Sequence, residues 1–346
     1  MTLNDRLYRL LRLPMPVLSL RTIVIVAALS VIAVVITILQ RELTRHNVTQ
    51  IHHPDADVES GAGFRLPRLG VMMCGSGTSC PPATVVSVPI ASLGFRTDIM
   101  LLALGGSSIT EHDGLTVVAT PRTPDFWWGN FVLVPDANAL DAAVALHAEM
   151  FPEADFVSVG IDGTDGALGI DAAAAGRGLT VERSTALSST AVCLPPRPNT
   201  DAEVRRLHSD EDFEAAADLQ YTNDPASGRG FVASRFRTWR WLADEGHGAW
   251  FGAFLDGRLC TGLGLYSDGN GVARFQAVDT HPDYRRRGLA GTLVHHAGAE
   301  GLTWPGVQTL VIVADPGDKA IRVYRSVGFD GTETQVQLLR KPPGHA

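Results

Sequence analysis

Apolar and polar positions change rhythm several times along the chain, and each change marks a different part. The carboxyl half is the most regular. Residues 210–220 and 232–243 read as helices, and residues 248–255, 258–266 and 272–278 as strands rich in aliphatic and aromatic side chains. The dipeptide Asp256-Gly257 and the run Asp268-Gly269-Asn270-Gly271 between those strands are hairpin signals, because both turn positions need left-handed backbone. A helix over 288–302, a strand over 307–313, a helix over 319–327 and a strand over 333–339 follow. The preceding half is fainter. Residues 114–120, 130–135 and 156–161 read as strands and 137–150 as a helix with apolar positions near the helical period. A proline-rich break at 194–200 parts the two halves.

The amino end follows neither rhythm. Residues 22–39 carry no charge and consist mainly of Ile, Val, Ala and Leu, a length at the short end of what crosses a hydrocarbon core about 30 Å thick. The stretch is read as a single transmembrane helix, because it is longer than a signal-peptide core and is followed by Arg41, Glu42 and Arg45. The expected organisation is therefore a basic segment 1–21, a span 22–39, a linker 40–88 and two α/β domains, 89–195 and 196–346. Arg6, Arg9, Arg12 and Arg21 before the span, against Arg41 and Arg45 after it, weakly hold the amino terminus inside.

Composition narrows the partners. Of 346 residues, 45% are hydrophobic and 19% charged, enough apolar material for two packed cores. With 29 basic and 37 acidic residues the net charge is -8, so no general positive field gathers nucleic acid. Cys74, Cys80, Cys193 and Cys260 match no zinc spacing, and no metal is expected.

The candidate chemistry lies where the strand ending at Val278-Asp279-Thr280 runs through His281-Pro282-Asp283-Tyr284 into Arg285-Arg286-Arg287-Gly288-Leu289-Ala290-Gly291. A helix that opens on a basic glycine loop presents unpaired amides and partial positive charge, and Gly288 and Gly291 let an anion approach the backbone. The helix dipole contributes only about 0.3–1 kcal/mol when exposed, so arginines and direct N–H bonds must hold a pyrophosphate.

That stretch resembles the acetyl-coenzyme A signature of the GNAT N-acetyltransferases, Q/R-x-x-G-x-G/A after a strand, with Arg285 to Ala290 filling the loop. Downstream, Ala320-Ile321-Arg322-Val323-Tyr324-Arg325-Ser326-Val327-Gly328-Phe329 resembles the second signature of the family. Two signatures in order, over residues 201–343, imply a GNAT fold: a mixed, mostly antiparallel sheet flanked by helices. The earlier half is similar to a degenerate copy without the glycine loop, so the chain resembles a tandem protein. The resemblance implies acetyl-coenzyme A as cosubstrate, bound by Val278, Asp279, Thr280, Arg285, Arg286, Arg287, Gly288, Leu289, Ala290 and Gly291, with Tyr324 as the acid that protonates the departing thiolate. Where relatives carry Asn, three residues before Ala320, this chain has Gly317, so that contact is missing or comes from backbone or Asp318.

The acceptor implied is an amine, on a small molecule or a protein. Asp279, His281 and Asp315 are open as general base, beside a water chain. Trp239, Trp241 and Arg237 are candidates for the acceptor border, and Phe126-Trp127-Trp128 with Asn130 for either core or ligand wall. The donor is cytosolic, so the catalytic half is expected in the cytoplasm, against the arginine count. The rival readings are a regulatory module that binds acyl-coenzyme A without turnover and a membrane-linked structural protein.

Overall fold

The computed structural model describes residues 90–342. The 22–39 span, the linker, and Cys74 and Cys80 lie outside the described residues; within them no helix is long and apolar enough to cross a membrane.

Eleven strands form one sheet in the order β1-β2-β3-β4-β11-β5-β10-β9-β8-β7-β6. The first half contributes α1 (Leu93–Leu104), β1 (Ser108–His112), β2 (Leu115–Ala119), β3 (Phe131–Val134), α2 (Leu140–Met150), β4 (Val157–Ile161), α3 (Ile170–Ala175) and β5 (Thr180–Ser189). The second contributes β6 (Glu203–Arg206), α4 (Asp210–Asn223), α5 (Arg229–Asp244), β7 (Gly248–Leu255), β8 (Arg258–Tyr266), β9 (Gly271–Thr280), α6 (Leu289–Gly301), β10 (Val307–Ala314), α7 (Ala320–Ser326) and β11 (Gly331–Arg340).

Local chemistry accounts for these elements. Leu255 pairs with Arg258 across a two-residue turn in which Asp256 (φ 50°) and Gly257 (φ 74°) are both left-handed, the geometry whose twist matches an antiparallel ribbon. Asp113 and Gly114 repeat the device between β1 and β2. Ser209 caps α4 through its hydroxyl, which accepts the Asp212 amide. Val232, Phe236, Trp239 and Leu242 give α5 one apolar stripe, which packs against Trp250 and Tyr266 of the sheet. Leu289, Leu293, Val294 and Ala297 of α6 cover the other core, with Leu263, Phe275 and Leu310.

The order β1-β2-β3-α2-β4-α3-β5 in the first half repeats as β7-β8-β9-α6-β10-α7-β11 in the second. Each half also hands its last strand to the other. β11 lies between β4 and β5, and β5 between β11 and β10, all antiparallel. This exchange closes two sheet edges that would otherwise stay unpaired.

The two copies differ at their one parallel pair. In the first half β3 and β4 stay paired to Val134 opposite Ile161, and the Asp162 amide continues to the Val134 carbonyl at 2.8 Å. In the second half β9 and β10 pair only from Gly271 to Arg274, opposite Val307 to Val311. Beyond Arg274 the strands part. A bulge accompanies the divergence: Gln276 to Asp279 of β9 oppose only Gly262 to Gly264 of β8, and Ala277 takes φ 44°. An extra residue in one strand raises local twist and re-aims it, which swings β9 from its parallel neighbour.

Candidate active site

The gap between β9 and β10 holds a cavity of about 320 Å³, lined by Ala277, Val278, Asp279, Val313, Asp315 and Tyr324 among others. Tyr324 is 5% exposed, and its hydroxyl makes no hydrogen bond among the described residues. Burial pushes its pKa far up, with Asp318 and Asp279 adding to the effect, so the phenol keeps its proton.

Asp279 sits in the same cavity, with its Oδ1 accepting from Asn223 Nδ2 at 3.0 Å. Burial raises its pKa above the usual carboxylate range, against the Asn223 bond and the nearby charge of Arg285. Asp315 also lines the cavity and accepts the Gly317 amide at 2.7 Å, which sets the turn before α7. His281 is elsewhere. Its Nδ1 accepts the Asp283 amide at 3.3 Å, its Nε2 lies 3.1 Å from Arg258 Nη2, and it does not line the cavity. Of the three base candidates, Asp279 and Asp315 line the cavity.

At the foot of the gap α6 begins. Gly288 precedes it at φ 80° and Arg286 takes φ 63°. Among the described residues the amides of Arg286, Arg287, Gly288, Leu289, Ala290 and Gly291 have no acceptor. Six consecutive unpaired donors at a helix start form an anion nest. The three arginines differ. Arg285 turns back onto the strand, with Nε to the Thr280 carbonyl at 3.2 Å and Nη2 to Asn223 Oδ1 at 2.7 Å. Arg287 lies over the Tyr284 ring at 5.0 Å. Arg286 is exposed and has no partner among the described residues.

The proline-rich break proves to be part of this loop's support. Asn199 donates Nδ2 to the Arg287 carbonyl at 3.0 Å, and its amide reaches Thr292 Oγ1 at 2.8 Å. A Cβ at Gly288 would overlap the Arg197 carbonyl, and one at Gly291 would come within 3.1 Å of Pro195. Asn199 was beyond sequence reasoning because it lies 88 residues from its partner Arg287. Thr280 lies outside the cavity lining, where its hydroxyl takes a bond from Thr261 at 3.2 Å. Leu289 is a core side chain whose contribution to the nest is its amide alone.

A second cavity of about 400 Å³ adjoins the first at Val313, which lines both. Phe126 and Trp128 of the first half face it across Phe231 and Trp239 of α5. Trp127 instead packs on Phe156, with ring centroids 6.5 Å apart. Asn130 is a brace: its Oδ1 accepts the Thr120 amide at 2.7 Å and its Nδ2 reaches the Thr123 carbonyl at 2.8 Å. Of the α5 candidates only Trp239 lines this cavity, since Arg237 is exposed and Trp241 is 48% exposed on the outer face. Arg235, one turn before Trp239, lines it and was not singled out from sequence. Among the described residues no group of three or more His, Cys, Asp or Glu is placed to hold a metal.

Residues 208–329 match the family model described as acetyltransferase (GNAT) family. Among solved structures, a GCN5-related N-acetyltransferase from Kribbella flavida matches at 18% identity and a TM-score of 0.54, over 73% of this chain and 96% of its own. A functionally unknown conserved protein from Staphylococcus epidermidis matches at 12% identity and a TM-score of 0.50, over 68% of this chain and 95% of its own. At such identities the likeness is one of fold. No curated protein gives a match.

Proposed function

We propose that this chain, whose residues 208–329 belong to the acetyltransferase (GNAT) family, transfers an acetyl group from acetyl-coenzyme A to a primary amine. The observation that carries the reading is the parting of β9 from β10 directly above six unpaired amides. A pyrophosphate suits those amides together with Arg286, and an extended pantetheine arm suits the strand edges that the gap leaves unpaired. The matching place in the first half stays hydrogen-bonded to its end, which makes that half a wall of the acceptor cleft and not a second donor site.

In the proposed mechanism the donor's thioester lies in the cavity that Asp279 and Tyr324 line. Asp279 takes a proton from the acceptor ammonium, and the freed lone pair attacks the carbonyl carbon. The tetrahedral centre then expels the thiolate, which takes the Tyr324 proton, while the nitrogen gives up its second proton to restore the phenol, and the products are an N-acetyl amide and free coenzyme A. The raised pKa of Asp279 brings its basicity closer to neutral pH, and that of Tyr324 keeps an acid in hand at all working pH values. The cytoplasmic placement belongs to the same proposal, since the donor is cytosolic.

The test is release of free thiol from acetyl-coenzyme A across a library of amines. An active protein releases thiol in step with acetylated product. The Arg286→Glu variant, which removes one charge-assisted phosphate contact, should bind the donor about 10–100-fold more weakly by calorimetry. Tight donor binding with no thiol release for any amine would leave only a binding module.

A further inference from the structure

The acceptor side of the cleft carries its own chemical signature, and its reading rests on the transfer proposed above. The 400 Å³ cavity shares Val313 with the proposed donor cavity, which makes it the neighbouring space for an acceptor. Its charged lining consists of Asp98, Arg122, Arg235 and Arg274. The lone acid is already spent: Asp98 takes Arg274 Nη2 at 3.1 Å on one oxygen and Gln335 Nε2 at 2.7 Å on the other. Arg274 also donates to Thr97 at 2.6 Å, while its buried Nε has no acceptor.

Arg235 is in the opposite condition. It is half-buried and makes no hydrogen bond or ion pair among the described residues; its guanidinium touches only the rings of Trp239 at 5.4 Å and Phe231 at 5.8 Å. A guanidinium cannot shed its proton in a protein, so a partly desolvated one without a directly bonded counterion is a standing electrostatic cost. An anion from a ligand removes that cost with a fork-shaped pair of bonds. Burial does lower the pKa of Arg235, and the charge of Asp279 opposes the shift.

We infer that the acceptor is an amine that carries an anionic group, a carboxylate or a phosphonate or phosphate, which Arg235 binds while Phe126, Trp128 and Trp239 enclose an apolar or aromatic body. Polycationic amines should be disfavoured in this cavity, whose lining offers their additional ammonium groups no free carboxylate and sets Arg122 and Arg235 against them.

The experiment measures kcat/KM at saturating acetyl-coenzyme A for phenylalanine, phenylalaninamide, the phosphonate analogue of phenylalanine, phenethylamine and spermidine. At least one anionic member should exceed both neutral-bodied amines by about 10–100-fold, from the loss of charged hydrogen bonds in the latter. The carboxylate and phosphonate arms tell the two anion types apart. Arg235→Gln should reduce that preference to within threefold while leaving acetyl-coenzyme A affinity unchanged, and Arg235→Lys should restore part of it. Equal or better use of the amide or spermidine overturns the inference, as does an unchanged ratio in Arg235→Gln. Absence of calorimetric binding of either anionic amine to the coenzyme A complex does so too. Failure to bind acetyl-coenzyme A at all would instead strike the transfer reading itself.

Discussion

Replacing Tyr324 by Phe separates chemistry from packing more cleanly than any other single change in this molecule. The ring is 5% exposed and sits in a core with Leu293, Val327 and Phe329, so Phe keeps the volume. The hydroxyl has no hydrogen-bond partner among the described residues, and its removal orphans no other group. Folding stability should therefore change by less than about 0.5 kcal/mol, a shift of under about 2 °C in Tm for a domain of this size. Turnover is another matter. Loss of a general acid costs about 10²- to 10⁴-fold, or about 3–5 kcal/mol of transition-state stabilisation, because the thiolate must leave unprotonated. Donor affinity should hold, since the nest and Arg286 are untouched. Thermal melting, calorimetry with acetyl-coenzyme A and steady-state thiol release on one preparation measure all three quantities. A turnover number within threefold of the parent, at unchanged Tm, would remove Tyr324 from the chemistry.

Two further outcomes follow from the same cavity and loop. Asp279→Asn should lower turnover about 10²-fold or more and abolish the acid limb of kcat/KM, as read from pH–rate profiles. Its effect on stability has the opposite sign to the usual carboxylate. The folded-state pKa is raised above the ordinary 3.8, so the native state binds the proton more tightly than the unfolded chain does. Stability is then highest at acid pH and declines as pH rises from 3.8 through the folded value, and Asp279→Asn should raise Tm at neutral pH with a difference that fades in acid. Gly288→Ala combines about 1–2 kcal/mol of left-handed strain with overlap on the Arg197 carbonyl. It should melt several degrees lower and weaken donor binding more than tenfold, with calorimetry and melting as the readouts.

Much of the second half was legible in the chain. The strands 248–255 and 258–266 are found with the bounds that their apolar runs and the Asp256-Gly257 turn imply, because a left-handed dipeptide admits few alternatives. The glycine loop and the Tyr324 helix were equally visible, since a basic glycine turn and a helix start leave a local composition. The first half was less so. The helix Leu93–Leu104, the strands Ser108–His112 and Thr180–Ser189 and the short helix Ile170–Ala175 were not anticipated. β5 is mostly half-buried, and its partners β11 and β10 lie more than a hundred residues away, so its own sequence carries no strong alternation.

By itself, the sequence determined the chemistry that is written locally: the turns, the helix start, the unpaired amides and the phenol four residues into the last helix. Only the tertiary structure decided what those groups face. The exchange of β5 and β11, the parting of β9 from β10 and the burial of Arg235 and Asp279 each depend on contacts between residues far apart in the chain. Solvation and charge pairing act through space, so no window along the chain reports which carboxylate is desolvated or which guanidinium lacks a directly bonded counterion.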